Sequence, residues 1–358
     1  MPTSAGGSRT PASAIPARPA GSADGAERGR ALADAAVEGD LRSLARLLTE
    51  VENHTAAAES GLRRLYGRAG RAHLVGITGA PGSGKSTLVA ALIGQIRASG
   101  RAVAVVAVDP SSPITGGALL GDRVRMQEYA GDRGVFIRSM ASRGHAGGLA
   151  PTSVAAAAVL DAAGFDVILM ETVGTGQSEV EVAAAADTTV VLEAPEMGDE
   201  IQAIKAGLLE VADLVVVNKG DRPGAQRTAS QLRAMLVATA PRSLSGGRPT
   251  PKRPEVLITT ASTGKGVPEL LAALDARAPT REGPVVVDAA RLARADAQIH
   301  AILAERLRAR LERPGLADRT AALRREVAEH RTDPYAAADA LLGDLDAARP
   351  ASPDAPPA

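Results

Sequence analysis

Gly79-Ala80-Pro81-Gly82-Ser83-Gly84-Lys85-Ser86-Thr87 satisfies the pattern G-x-x-x-x-G-K-[ST]. Ahead of it, Leu74-Val75-Gly76-Ile77-Thr78 is apolar and β-branched and reads as a buried parallel strand. Behind it, Thr87-Leu88-Val89-Ala90-Ala91-Leu92-Ile93 reads as a helix. Strand, glycine loop and helix in that order turn a pattern match into a phosphate site. Glycines let backbone N–H groups turn toward a β-phosphate, and the helix N-terminus adds partial positive charge. Lys85 reaches the β/γ oxygens from such a loop, and the Ser86 hydroxyl is placed to ligate Mg²⁺. A glycine turn that bound nothing would not need both flanks. The stretch predicts a nucleoside triphosphate site.

Working outward, strands and helices alternate from 73 to about 276. The strand candidates are Ala102–Val108, Val135–Met140, Val167–Met170, Thr188–Leu192, Leu214–Val217 and Glu255–Thr260. All are short, mostly apolar runs, as expected of strands covered on both faces. The alternation predicts an α/β fold, a doubly wound and mostly parallel sheet. Ligands of such sheets bind beyond the carboxyl ends of the strands. Upstream, Leu32, Leu41, Leu44, Leu47, Leu48 and Val51 recur at helical spacing, Asp40 is placed as a cap, and Ala56 to Tyr66 reads as a second helix. Downstream, Leu292, Ala295, Ile299, Ile302, Leu303, Leu307 and Leu311 form an apolar stripe on a long helix ending before Pro314. Leu323 and Val327 mark another helix, and Asp333-Pro334 opens a third with a cap and a proline at N1. The stripe fits packing against the sheet domain or a contact between two copies, and the expected assembly is a homodimer. The division expected is a disordered leader (1–27), a helical segment (28–70), the sheet domain (71–280), a helical arm (281–347) and a disordered tail (348–358).

Composition sets the bounds. Hydrophobic residues make up 45% of the 358, but aromatics only 1%, so the core must be built from Ala, Val, Leu and Ile. Lys plus Arg and Asp plus Glu are equal at 41 each. A balanced charge gives no footing for a nucleic-acid partner, which calls for a basic excess. The absence of cysteine excludes a disulfide framework, a thiolate metal site and a catalytic thiol. No apolar run approaches the ~18 residues of a membrane span, and the Ala/Gly/Ser/Pro-rich start lacks the apolar stretch of a secretory signal. The expected location is the cytoplasm.

Asn218-Lys219-Gly220-Asp221 follows Leu214-Val215-Val216-Val217 directly. The Asp221 carboxylate can accept from guanine N1–H and the exocyclic amine together, a donor pair that adenine lacks. Lys219 can lay its stem over the ring while Asn218 braces the loop. Thr260-Ala261-Ser262, followed by Gly264 and Gly266, stands where a second loop would present backbone N–H to O6. The nucleotide expected is GTP.

Three acids stand where magnesium or attacking water needs them. Asp109 follows Val108 at a strand end, Glu171 follows Val167-Ile168-Leu169-Met170, and Asp122 lies in Gly121-Asp122-Arg123-Val124-Arg125-Met126. Mg²⁺ keeps several waters, so one or two carboxylates, Ser86 and phosphate oxygens suffice. Gly174 after a strand-end acid fits a backbone N–H on the γ-phosphate.

With these motifs placed, the chain resembles the phosphate-loop GTPases that accompany adenosylcobalamin-dependent methylmalonyl-CoA mutase, the MeaB/ArgK/MMAA family. The resemblance rests on Gly79–Thr87, Val108-Asp109-Pro110-Ser111-Ser112, Gly121-Asp122-Arg123 with Arg125-Met126, and Ser142-Arg143-Gly144. It rests further on Glu171-Thr172-Val173-Gly174-Thr175-Gly176-Gln177-Ser178-Glu179, Gly198-Asp199-Glu200-Ile201-Gln202 with Ile204-Lys205-Ala206-Gly207, and Asn218–Asp221. The resemblance implies a GTPase chaperone that binds an acyl-CoA mutase, gates entry of intact cofactor and helps damaged cofactor leave. On that analogy Asp109, Asp122 and Glu171 serve magnesium and water, and Asp199–Gly207, with Asp199, Gln202 and Lys205, is a switch facing the mutase. Two departures stand out: Ala194-Pro195-Glu196-Met197-Gly198-Asp199 replaces a glycine-rich Pro-Gly run, and Thr260-Ala261-Ser262 replaces the commoner Ser-Ala.

No glutamine or arginine finger announces itself, although a supplied cation can be worth ~10³ or more in rate. Lys205 or Arg143 is the candidate, acting beside Lys85, Asp109 and Glu171 when the partner positions it. Rival readings are a protein kinase using the same nucleotide site, a metal-delivering GTPase and a non-enzymatic GTP sensor. His54, His73, His145, His300 and His330 are dispersed, which weighs against metal delivery. Only His73 and His145 lie near nucleotide motifs.

Overall fold

The computed structural model describes residues 23–109, 129, 131–141, 151–172, 185–195, 211–238, 254–279, 287 and 289–347. The chain divides into two compact units, Met1–Val285 and Val286–Ala358.

The first unit opens with helices α1 (Ala23–Val37), α2 (Leu41–Glu52) and α3 (Ala56–Leu65), and a 3-10 turn at Tyr66–Arg68. Asp40 caps α2 as expected, its carboxylate accepting from Arg42 N and Ser43 N at 3.1 and 3.2 Å. Helix α1 begins at Ala23, inside the stretch expected to be leader. The remaining elements are β1 (His73–Gly79), α4 (Lys85–Ala98), β2 (Val103–Asp109), β3 (Val135–Ala141), α5 (Pro151–Ala162), β4 (Val167–Thr172), β5 (Thr188–Glu193), β6 (Leu214–Val217), α6 (Ala225–Ala238), β7 (Glu255–Ile258) and α7 (Val267–Asp275). Seven strands pair in the order β3-β2-β4-β1-β5-β6-β7. Every pairing is parallel.

The sheet is two-faced because successive strand residues point to opposite sides. Val103 and Val105 of β2, Leu169 of β4 and Ile77 of β1 pack with Leu88, Leu92 and Ile96 of α4 and Leu270 of α7. Ala104, Val106 and Val108 of β2, and Ile168 and Met170 of β4, pack with Leu160 of α5 and with Leu44, Leu47, Leu48 and Val51 of α2. The N-terminal helices therefore complete one face of the sheet. Burying a leucine side chain contributes about 1.5–3 kcal/mol, so α2 is fixed by its apolar stripe. Arg138 of β3 adds a polar tie: its guanidinium donates to Glu52 Oε2 at 2.6 Å and to Ala45 O at 3.2 Å.

At the amino ends of parallel strands the first N–H groups lack ladder partners, and aspartates supply them. Asp166, Asp187 and Asp213 stand just before β4, β5 and β6. They accept from Ala102 N, Leu74 N and Thr189 N at 2.6, 3.1 and 2.9 Å. Asp161, at the end of α5, takes the N–H groups of Gly70, Arg71 and Ala72. His73 lies at this rim, at the end of β1 away from Gly79, with Nε2 2.8 Å from Thr188 Oγ1. Its closeness in sequence to the phosphate loop is therefore not closeness in space: a strand rises about 3.3 Å per residue.

Strand limits shift from expectation by one or two residues, and two of the shifts bear on the site. Glu171 lies inside β4, which continues to Thr172, and β7 ends at Ile258, so Thr260 stands in the following loop and bridges to Lys265.

The second unit holds α8 (Ala289–Leu311), α9 (Ala317–Ala328) and α10 (Pro334–Ala347). Asp333 caps α10, accepting from Tyr335 N and Ala336 N at 2.9 and 3.0 Å, with Pro334 at the first helical position. Leu292, Ile299, Ile302, Leu303 and Leu307 of α8 are exposed. These five side chains are not covered by the described residues of their own unit.

Burial holds the His73 imidazole below its ordinary pKa, against the opposing pull of Asp187, Asp275 and Asp213. As pH falls through the unfolded value of about 6.5, the unfolded chain takes up a proton that the folded chain refuses, and stability falls. Chemical denaturation between about pH 7 and 5.5 should give a declining unfolding free energy, with a shallower decline in His73→Gln.

Candidate functional site

The phosphate loop spans the gap between β1 and α4. Gly79 has φ 141°, and a Cβ there would lie 2.1 Å from Leu192 O of the neighbouring strand, so only glycine lets the loop leave the sheet. Gly84, at φ 96°, would bring a Cβ to 2.4 Å from Asn218 Nδ2. The glycines thus set how closely the two nucleotide motifs approach. Helix α4 starts at Lys85, two residues before the sequence suggests. Lys85 is buried, and its Nζ donates to Gly79 O at 2.7 Å and Ala80 O at 3.1 Å. Gly82 has φ 76°, and its carbonyl accepts from Lys219 Nζ at 2.7 Å.

Asn218 joins the loops. Its Nδ2 donates to Ser83 O at 3.0 Å, while Oδ1 accepts from Thr259 Oγ1 and Ala261 N, both at 3.1 Å. Gly220 N donates to Thr259 O at 2.8 Å. Asp221 is exposed beyond this hub. Of the three residues expected to offer N–H groups to the base, Thr260 donates to Lys265 O and Ala261 to Asn218. Ser262 is exposed, and its N–H has no acceptor among the described residues.

Of the acids expected at magnesium, Glu171 alternates with Met170 and so faces α4 rather than α5. Ser86 Oγ donates to Glu171 Oε1 at 2.7 Å, and Glu171 is 3% exposed. Asp109 closes β2, in register with Ala141 of β3, and Glu171 pairs with Ala107 of the same strand. Asp122, Gly174, Asp199, Gln202, Lys205 and Arg143 lie outside the described residues.

Several positions that brace the site escape the sequence reading. Thr259 holds the Asn218 amide by its hydroxyl. Glu193, a buried acid ending β5, has its carbonyl on Asn218 N at 2.8 Å. Its signal was present, an acid closing an apolar run, the same pattern that singles out Asp109 and Glu171. Thr78 and Thr172, wholly buried, share a hydrogen bond of 3.3 Å; Thr172 stands in the Glu171-Thr172-Val173-Gly174 motif, but the motif does not say what its hydroxyl meets.

The profile of the family described as methylmalonyl Co-A mutase-associated GTPase MeaB matches residues 44–314. The chain belongs to the MeaB family of GTPases. A putative GTPase of Pyrococcus abyssi is 43% identical over 308 residues, covering 86% of this chain and 94% of that protein. GTPase ArgK of Escherichia coli is 44% identical over 188 residues, 51% of this chain and 57% of that one. Among solved structures, one titled as an LAO/AO transport system kinase superposes with a TM-score of 0.62 at 26% identity, covering 92% of this chain and 100% of its own. The MeaB match starts within α2 and runs into the second unit, and the fold and nucleotide class expected from the sequence both hold. The chain is a phosphate-loop GTPase.

Two measurements probe this geometry. Ser83 Oγ is buried with no hydrogen-bond partner among the described residues. Removing an unsatisfied buried hydroxyl is neutral to favourable, so Ser83→Ala should raise the unfolding free energy of the nucleotide-free protein by up to about 1 kcal/mol. Asp221→Asn replaces an acceptor by an amide that can donate to the 2-oxo group of xanthine. Nucleotide titration should show GTP weakened by roughly tenfold or more and xanthosine triphosphate strengthened.

Proposed function

We propose that this GTPase is the GTP-driven chaperone of an adenosylcobalamin-dependent acyl-CoA mutase of the methylmalonyl-CoA type, gating cofactor loading and reactivating the mutase. The observation that carries this reading is the match over 44–314 to a family described as mutase-associated. Support also comes from a relative in Mus musculus described as a mitochondrial methylmalonic aciduria type A homolog, 40% identical over 196 residues.

On this reading the β- and γ-phosphates sit in the loop Gly79–Thr87 at the N-terminus of α4, where helix dipole and backbone N–H groups favour anions. Lys85 Nζ already lies inside the loop on two neutral carbonyls. Exchanging them for phosphate oxygens is favourable, because a full negative charge attracts the ammonium more strongly than a carbonyl dipole does in a site screened from water. Asp221 and the Ser262 N–H meet the guanine edge while Asn218 keeps base and phosphate loops in fixed relation. The donors on the metal side are a hydroxyl and carboxylates, the hard oxygens that magnesium takes. Ser86, Glu171, Asp109 and Asp122 would hold the ion, and it would neutralise charge on the phosphate oxygens. Gly174 would offer its N–H to the γ-phosphate. Asp199, Gln202 and Lys205 form the switch toward the mutase, and Lys205 brings positive charge to the transferring phosphoryl group once the mutase is bound. The assembly in this reading is a homodimer through the exposed stripe of α8.

The mutase should raise the GTP turnover of the parent protein, and Lys205→Ala should lose most of that stimulation while keeping its basal rate. A phosphate-release assay with and without the mutase measures both. An unchanged stimulated rate removes Lys205 from the mechanism, and no stimulation of the parent protein removes the mutase reading.

A further inference from the structure

Backbone pairing between β1 and β4 runs from His73↔Val167 to Ile77↔Glu171 and goes no further, although β1 continues beside β5 to Gly79↔Leu192. Beyond that last rung the two central strands are joined instead by side chains: Thr172 Oγ1 donates to Thr78 Oγ1. Both residues are fully buried, at 0% exposure, in strands whose other inward positions are Val75, Ile77, Ile168, Leu169 and Met170. Valine is isosteric with threonine and carries no hydroxyl to desolvate, so packing alone would favour valine at both positions.

What the rung adjoins explains its cost. Thr78 immediately precedes Gly79, whose carbonyl holds Lys85, and Thr172 immediately follows Glu171, which takes the Ser86 hydroxyl. Because side chains alternate along a strand, a rotation of β4 at Thr172 would swing Glu171 away from α4. We propose that the Thr78–Thr172 hydroxyl rung is the positioning contact that holds Glu171 toward Ser86 and couples the end of β4 to the phosphate loop. Both threonines act through their neighbours and touch no substrate. At 3.3 Å the bond is longer than the usual O–H···O range of about 2.5–3.0 Å, so its effect on rate is several-fold rather than orders of magnitude.

This inference rests on the assignment of Glu171 to the magnesium side of the site. The test uses the full chain and basal GTP hydrolysis with no mutase present. Thr172→Val should lower kcat about three- to tenfold and raise the magnesium concentration for half-maximal rate, with KM for GTP and the melting temperature unchanged. Thr172→Ser should restore both. Thr78→Val should reproduce the loss, and the double variant should be no worse than either single one. Glu171→Gln serves as the reference: turnover at the parent rate would show that the site assignment itself is wrong. If Glu171→Gln is inactive while Thr172→Val keeps the parent kcat and magnesium requirement, the rung alone is refuted. A loss of kcat that tracks a fall in melting temperature and is not rescued by serine also refutes it.

Discussion

One carboxamide holds the nucleotide site together. Asn218 is 2% exposed and bonds to Ser83 of the phosphate loop on one side and to Thr259 and Ala261 of the loop after β7 on the other. A buried amide left half-satisfied costs about 1–3 kcal/mol, so each loop is held by the requirement of the other two. Its donor and acceptor ends are assigned by those partners, since a flipped amide would face Ser83 O with an oxygen. Gly84 is glycine for the same reason, because a side chain there would occupy the place of the Asn218 nitrogen. The phosphate loop and the Asn218–Asp221 loop thus share one rigid element rather than two neighbouring ones.

The sheet beneath is built by division of labour between its ends. The carboxyl rim carries the glycine loop, Glu171, Glu193 and the Asn218 hub. The amino rim is closed by Asp161, Asp166, Asp187 and Asp213, each used on backbone N–H groups. The carboxylates of the amino rim are spent on architecture; Glu171 at the carboxyl rim instead meets a hydroxyl at the head of α4.

Most of this was legible in the residues. Strand positions follow from short β-branched runs, and the phosphate loop, Asn218–Asp221 and Glu171 follow from motif and strand-end placement. Capping by Asp40 and Asp333 was readable because a cap is a local contract between residues two or three apart. The misses have a common cause. Thr259 and the Thr78–Thr172 pair depend on strand register between segments distant in sequence, and a threonine in a strand looks the same whether its hydroxyl has work or not. His73 was misplaced because nearness along a strand is distance in space. The covering of one face by α2 was hidden as well, since an amphipathic stripe states that it needs a partner but not which one.

That covering has a consequence for biosynthesis. Leu44, Leu47, Leu48 and Val51 leave the ribosome ahead of the sheet residues they pack with, those of β2 roughly fifty residues later and those of β4 and α5, Met170 and Leu160 among them, on the order of a hundred residues later. At about 5–20 residues per second, the oily side of α2 waits on the order of ten seconds for the last of its cover. On a nascent chain, therefore, the apolar side of α2 stays open to unintended contacts until the strands that cover it have emerged.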